Sequence, residues 1–154
     1  MNSVLLTIAI FISTVFLTSL SFATDQPPEN CLKVNILNKT SYTCNRTDHT
    51  LKHGDWVIWR EPPISLRPYG RDYWMGCQDD FYGPDMRATY ECNGYSFSVR
   101  NQQNFCFLKT GNQRYSAYDV DKHLNVTNKQ TQHAAFHNQK PGIAEITISL
   151  KKSP

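Results

Sequence analysis

An all-β fold, an antiparallel β-sandwich, is the architecture this sequence predicts, and three observations predict it. Apolar residues recur at every second position over short runs, the period of a strand with one buried face. No stretch of a dozen residues carries the 3.6-residue apolar period of an amphipathic helix. Gly, Pro, Asn and Asp interrupt the runs at close intervals, as the turns between many short strands of a sandwich or barrel require.

The elements follow in order. After the Pro27-Pro28 turn, Leu32, Val34 and Ile36 alternate with Lys33, Asn35 and Leu37, giving a strand over Leu32–Asn38. Behind the Asn93-Gly94 turn signal, Tyr95, Phe97 and Val99 alternate with Ser96, Ser98 and Arg100. Near the C-terminus, Ile146, Ile148 and Leu150 alternate with Thr147, Ser149 and Lys151. Weaker alternation predicts further strands at 41–45, 56–59, 71–78, 86–92, 105–109 and 114–120. The segment from Asn125 to Gln139 is polar and rich in His and Gln, which predicts a long surface loop or a short helix.

The N-terminus reads as a signal peptide over residues 1–23. Val4 to Leu20 is almost wholly apolar or hydroxylic, and Ser21-Phe22-Ala23 offers the small residues of a cleavage site. No Lys or Arg precedes the run, so an uncleaved anchor is the competing reading. The run is shorter than the ~20 residues of a bilayer span and no basic flank follows it, which favours cleavage and export. Residues 24–154 then form one domain.

All five cysteines, Cys31, Cys44, Cys77, Cys92 and Cys106, follow the leader, and none forms a Cys-x-x-Cys pair. In a secreted protein that pattern predicts two disulfides and one spare thiol, able to pair with a second chain. Cys77 follows Met75-Gly76 and Cys92 ends the next strand, so a Cys77–Cys92 bridge between neighbouring strands is one expected pairing. Asn-x-Thr sequons at Asn38, Asn45 and Asn125 are glycan acceptors where exposed. The formal charge of +3 is scattered along the chain, which argues against a nucleic-acid partner.

Candidate chemistry is sparse. His49 with His53, and His133 with His137, stand four apart, a spacing that serves a metal on a helix, but neither pair has a helical context and no metal is expected. Asp79-Asp80 with Asp85 lacks the regular ligand spacing of a calcium loop. No Gly-x-Ser-x-Gly elbow exists. A secreted ribonuclease would need two histidines and a lysine converging, and no arrangement in the sequence shows it. No catalytic residue and no cofactor are expected, so the chain reads as a non-enzyme.

The aromatics are more informative. Trp56, Trp59, Tyr69, Tyr73, Trp74, Phe81 and Tyr82 crowd one stretch, interleaved with Arg60, Arg67 and Arg71. Such mixtures occur where a protein meets a lipid headgroup layer or a sugar. Any one of these rings is equally well accommodated in a sandwich core.

The run Leu51-Lys52-His53-Gly54-Asp55-Trp56, then Pro62-Pro63-Ile64-Ser65-Leu66-Arg67-Pro68, Met75-Gly76 and Gly83-Pro84-Asp85-Met86-Arg87-Ala88-Thr89-Tyr90 resembles the aegerolysin family, especially its bacterial crystal-protein branch, in order and spacing. An opening strand at Val34–Thr40 and a closing strand at Gly142–Leu150 are also similar, so the resemblance spans nearly all of the chain after the leader. It implies a sandwich similar in shape to the actinoporins that acts on membranes by recognising lipids, often sphingolipids, in some cases forming pores with a larger partner. It also implies that Trp56 stands at the family's headgroup-side tryptophan, and Asp85 where a Gly-Thr-Glu-Gly turn has its acid. Here Gly83-Pro84-Asp85-Met86 replaces that turn, losing a glycine and gaining a proline. The leader, cysteines and sequons mark a secreted variant.

Together these readings make Trp56, Trp59, Trp74 and Asp85 the expected lipid-binding residues of a secreted membrane-binding protein, a cytolysin or defence protein. Its expected partners are membrane lipid or glycan, with a partner protein or further copies of itself where pores form. The competing expectation is a secreted glycoprotein that binds carbohydrate or protein through the same aromatic face without membrane damage.

Overall fold

The structure, a computed structural model, describes residues 31–56, 60–77, 83–103, 113–132 and 140–151. The expected leader, Trp59, Asp79, Asp80, Cys106, His133, His137 and the expected strand at 105–109 lie outside them. Ten strands are described: β1 (Cys31–Asn38), β2 (Cys44–Lys52), β3 (Asp55–Trp56), β4 (Ser65–Leu66), β5 (Arg71–Cys77), β6 (Asp85–Cys92), β7 (Tyr95–Gln103), β8 (Gln113–Tyr118), β9 (Leu124–Gln132) and β10 (Gly142–Leu150). They form two five-stranded sheets, ordered β3-β5-β1-β10-β9 and β4-β2-β6-β7-β8. The expected all-β sandwich is therefore what the chain adopts. Every pairing is antiparallel except that of β1 with β10, which run parallel from Leu32 opposite Gly142 to Asn38 opposite Ile148.

The alternation that predicts β1 also fixes its register. Leu32, Val34 and Ile36 are buried, together with Trp74 from β5, Leu124 from β9, and Ala144, Ile146 and Ile148 from β10. Across from them lie Met86, Ala88, Tyr90, Phe97 and Val99 of the second sheet, and these two apolar faces make the core. A one-residue slip of β1 would turn Lys33 and Asn35 inward, so burial holds the pairing in place. Asn93 and Gly94 take φ of 52° and 83°, the tight hairpin turn that Asn-Gly signals between β6 and β7.

Three expectations are corrected. Residues 125–132 of the expected loop or helix form a strand instead, and the rest of that segment lies outside the described residues: β9 runs from Leu124 to Gln132 as the edge of the first sheet. Its half-buried face carries Val126, Asn128, Gln130 and Gln132, so amides stand where apolar residues would mark a strand. The Asn128 amide donates to the carbonyls of Ser116 on β8 (3.0 Å) and Arg100 (3.4 Å), joining the two sheets along this side. β2 extends to Lys52, well past the expected Asn45, because a bulge between Arg46 and Asp48 shifts its alternation by one residue. His49 and His53 consequently stand on and just beyond a strand rather than on a helix.

The third correction is the bridge pattern. Cys77 does not pair with Cys92; the disulfides are Cys31–Cys77, between β1 and β5, and Cys44–Cys92, between β2 and β6. Each joins residues directly opposite in an antiparallel pair, whereas Cys77 and Cys92 end their strands at opposite ends of the sandwich.

The family-like motifs have structural roles. A Cβ at Gly54 would stand 2.3 Å from the Cys77 carbonyl oxygen, so only glycine fits where the β2–β3 turn crosses β5. Pro62 and Pro63 offer carbonyls to the Arg46 guanidinium and to the Tyr90 hydroxyl (3.1 Å). Burial pushes the Tyr90 phenol well above its ordinary range, so it stays a donor at any physiological pH.

Candidate functional site

The outer face of the first sheet carries a groove. Register places Arg71, Tyr73 and Met75 of β5 beside Leu37, Asn35 and Lys33 of β1, and these beside Thr147, Glu145 and Ile143 of β10. Their neighbours in sequence, Val34, Ile36, Trp74, Ala144 and Ile146, point into the core. An open groove of about 560 Å³ follows this face, with Asn35, Leu37, Arg71, Asp72, Tyr73, Glu145 and Thr147 among its lining.

Charge in the groove is of both signs. Arg71, Asp72 and Glu145 are exposed. The Tyr73 ring is flanked by the protein's own cations, the Lys33 ammonium 4.3 Å and the Arg60 guanidinium 4.5 Å from its centroid. Arg60 is held there by its backbone, whose carbonyl accepts from the Met75 N–H at 2.9 Å. Asp72 is oriented by the Tyr73 N–H, 2.8 Å from Oδ1. A guanidinium suits phosphate or carboxylate, and the two carboxylates suit an amine or the hydroxyls of a sugar.

A second cavity, about 360 Å³, adjoins the first and shares Arg71 and Asp72 with it; Ser65, Leu66, Arg67 and Gly70 complete its lining. The Arg67–Gly70 turn beside it is tied to β1. Asn38 donates its side-chain amide to the carbonyls of Tyr42 (2.8 Å) and Arg67 (3.1 Å), and its backbone N–H to Gly70 O at 3.0 Å.

The expected site residues scatter. Trp74 is fully buried and cannot contact a membrane: it lies on the inward phase of β5, where packing and not display sets its role. Asp85 is 4% exposed, and both its oxygens are taken by Arg100, with Arg87 3.5 Å away. It is therefore a structural carboxylate, not a free acceptor for a headgroup. Trp56 is half-buried in the short β3, opposite Gly76, with the His49 ring at 6.2 Å. Asn38 is fully buried, so its sequon is not a usable glycan site in the fold, while Asn45 and Asn125 are exposed. Among the described residues, no group of three or more His, Cys, Asp or Glu is placed to hold a metal ion.

Of the aromatic and arginine cluster, Arg60, Arg71 and Tyr73 do come together. Asn35, Leu37, Asp72, Glu145 and Thr147 were not anticipated. Strand alternation places each outward or at a strand end, but the parallel pairing of β1 with β10 that gathers them has no local signal.

No family model and no curated protein matches the chain. Among solved structures, the chain is similar in fold to the crystal structure of the lipid binding protein Nakanori, with a TM-score of 0.59, 8% sequence identity, and coverage of 79% of this chain and 71% of that one.

Proposed function

We propose that this protein is a secreted, aegerolysin-type lipid-binding sandwich that takes a zwitterionic headgroup, such as that of a sphingolipid, in the groove between β5, β1 and β10. The observation that carries this reading is the groove's charge pattern: Arg71 at one end to receive a phosphate, and the exposed Glu145 and Asp72 to receive a quaternary or primary amine. The Tyr73 ring already has two cations against it, so the headgroup amine falls to the carboxylates rather than to that ring. The fold shared with a lipid binding protein supports the reading, as do the leader and the two disulfides, which suit an oxidising compartment. Membrane permeabilisation, by further copies or with a partner protein, is the downstream activity we attach to it.

Flotation of the mature chain with liposomes of varied headgroup, with dye release followed in the same samples, is the test. Selective flotation that Arg71→Gln and Glu145→Gln each weaken at unchanged thermal stability is the expected result. Dye release distinguishes a pore former from a lipid-recognition module. Absence of flotation with any lipid would sink the proposal.

One observation favours a second reading. Asn35, Asp72, Glu145 and Thr147 give the groove the hydrogen-bonding density of a sugar site. A glycan ligand predicts that a soluble sugar, rather than a lipid, protects the groove residues and inhibits binding.

A further inference from the structure

The turn Arg67-Pro68-Tyr69-Gly70 displays an aromatic ring at a backbone position suited to glycine. The Gly70 N–H donates to the Arg67 carbonyl at 3.0 Å, and Tyr69, third in the turn behind Pro68, has φ 54°. Positive φ at the third position is the type II geometry, which Gly or Asn takes because a Cβ is crowded there. Burial does not compensate: Tyr69 is 70% exposed. Bulky residues held at such a position point to function before stability.

The surroundings say what the ring meets. Ile64, just before β4, is 75% exposed, and Tyr118 and Leu150 are 37% and 41% exposed. All four of these exposed large hydrophobics lie at the end of the sandwich where β1, β8 and β10 finish and β5 begins. The turn is held firmly by the Asn38 bonds and by the Tyr69 N–H on Thr40 O at 3.3 Å. Around it Lys39, Arg67 and Arg71 are exposed, with Asp72 the nearby acid. Among the described residues no carboxylate forms an ion pair with any of these three cations.

We infer that this end of the sandwich docks on an anionic lipid layer, with Tyr69 and Ile64 entering the interface while Lys39, Arg67 and Arg71 meet lipid phosphates. A rigid tyrosine beside an exposed aliphatic side chain, ringed by basic groups, is the composition that partitions to a bilayer interface and is drawn to its negative potential. The inference rests on the lipid-binding proposal and adds which end faces the membrane. It also brings Arg71, shared by both cavities, to the headgroup level.

Binding of the mature chain to vesicles of phosphatidylcholine, with and without an equal share of phosphatidylserine, tests it. Tyr69→Gly is the decisive variant, because glycine suits the turn and the thermal midpoint should hold or rise; Tyr69→Asn serves as its second. Affinity for phosphatidylserine vesicles should fall about ten-fold in either variant and further with Ile64→Ser added, and wild-type affinity should fall with salt. Wild-type affinity in all of these variants would overturn the inference and leave lipid binding standing. Wild-type protein that binds neither vesicle would also overturn it, and flotation on sphingomyelin vesicles would then decide the lipid-binding proposal separately.

Discussion

Asp85, at the start of β6, and Arg100, on β7, are joined by two hydrogen bonds, Arg100 Nε to Oδ1 at 2.8 Å and Nη2 to Oδ2 at 2.7 Å. The bond to Asp85 holds the guanidinium above its already high ordinary pKa, so Arg100 stays charged. Asp85 is buried and Arg100 about a third exposed, so loss of the acid lets Arg100 turn back to water. Asp85→Asn should therefore cost about 1–3 kcal/mol in urea unfolding, short of the cost of stranding a fully buried charge. Flotation by the folded variant should be unchanged. A headgroup-binding acid would show the opposite split, with binding lost at unchanged stability.

Trp74 sets a second test. Its indole N–H is buried and, among the described residues, finds no acceptor. Trp74→Ala should destabilise the fold rather than merely blunt binding, at a cost of about 3–5 kcal/mol. Trp74→Phe leaves a smaller void and removes the orphaned donor, two effects of opposite sign, and should cost less than about 2 kcal/mol. A Trp74→Phe loss well above about 2 kcal/mol, measured by chemical denaturation, would mean that the indole N–H is satisfied.

The strands that alternate cleanly, β1, β7 and β10, were readable in the sequence because each has one apolar face against the core. β9 was not, since Asn128 and Gln130 lie on its half-buried face and donate their amide N–H groups to backbone carbonyls such as those of Ser116 and Gln132. The bulge in β2 hid it in the same way, by changing the phase of its alternation. Site residues fared worse for a different reason. Trp74 and Asp85 have the composition of a membrane-facing site, but display depends on strand phase and on partners far away in sequence. Asp85 meets its arginine only through the β6–β7 hairpin, and Glu145 shares a groove with Arg71 only because the last strand lies beside the first.

Covalent mapping gives a third prediction. Non-reducing peptide maps should recover Cys31–Cys77 and Cys44–Cys92, and the double variant Cys44→Ala/Cys92→Ala should lose about 2–4 kcal/mol. From a glycosylating host, the folded protein should carry sugar at the exposed Asn45 and Asn125 and none at Asn38, whose side-chain amide is committed to Tyr42 and Arg67 carbonyls. Recovery of glycan on Asn38 in folded material would mean that the turn it anchors is open.

The connection from β8 to β9 supplies a pH-dependent contribution. The His123 N–H donates to Asp121 Oδ1 at 2.8 Å and the His123 ring nitrogen Nδ1 lies 2.9 Å from the same oxygen. The backbone hydrogen bond is the larger cause that holds the Asp121 carboxyl below its ordinary 3.8, with the ring hydrogen bond and the nearby positive charges adding to it. A carboxyl whose pKa is lower folded than unfolded binds its proton more readily in the unfolded chain. Its contribution is therefore whole above the ordinary aspartate range and is lost as pH falls below 3.8 toward the folded value. Asp121→Asn keeps an oxygen for the His123 N–H but has no proton to take up. The variant should start slightly less stable at neutral pH and lose less on acidification, so that its urea midpoint converges on that of wild type at low pH. Parallel midpoint curves across that window would show that Asp121 titrates alike in both states and that the His123 contacts do not hold its charge.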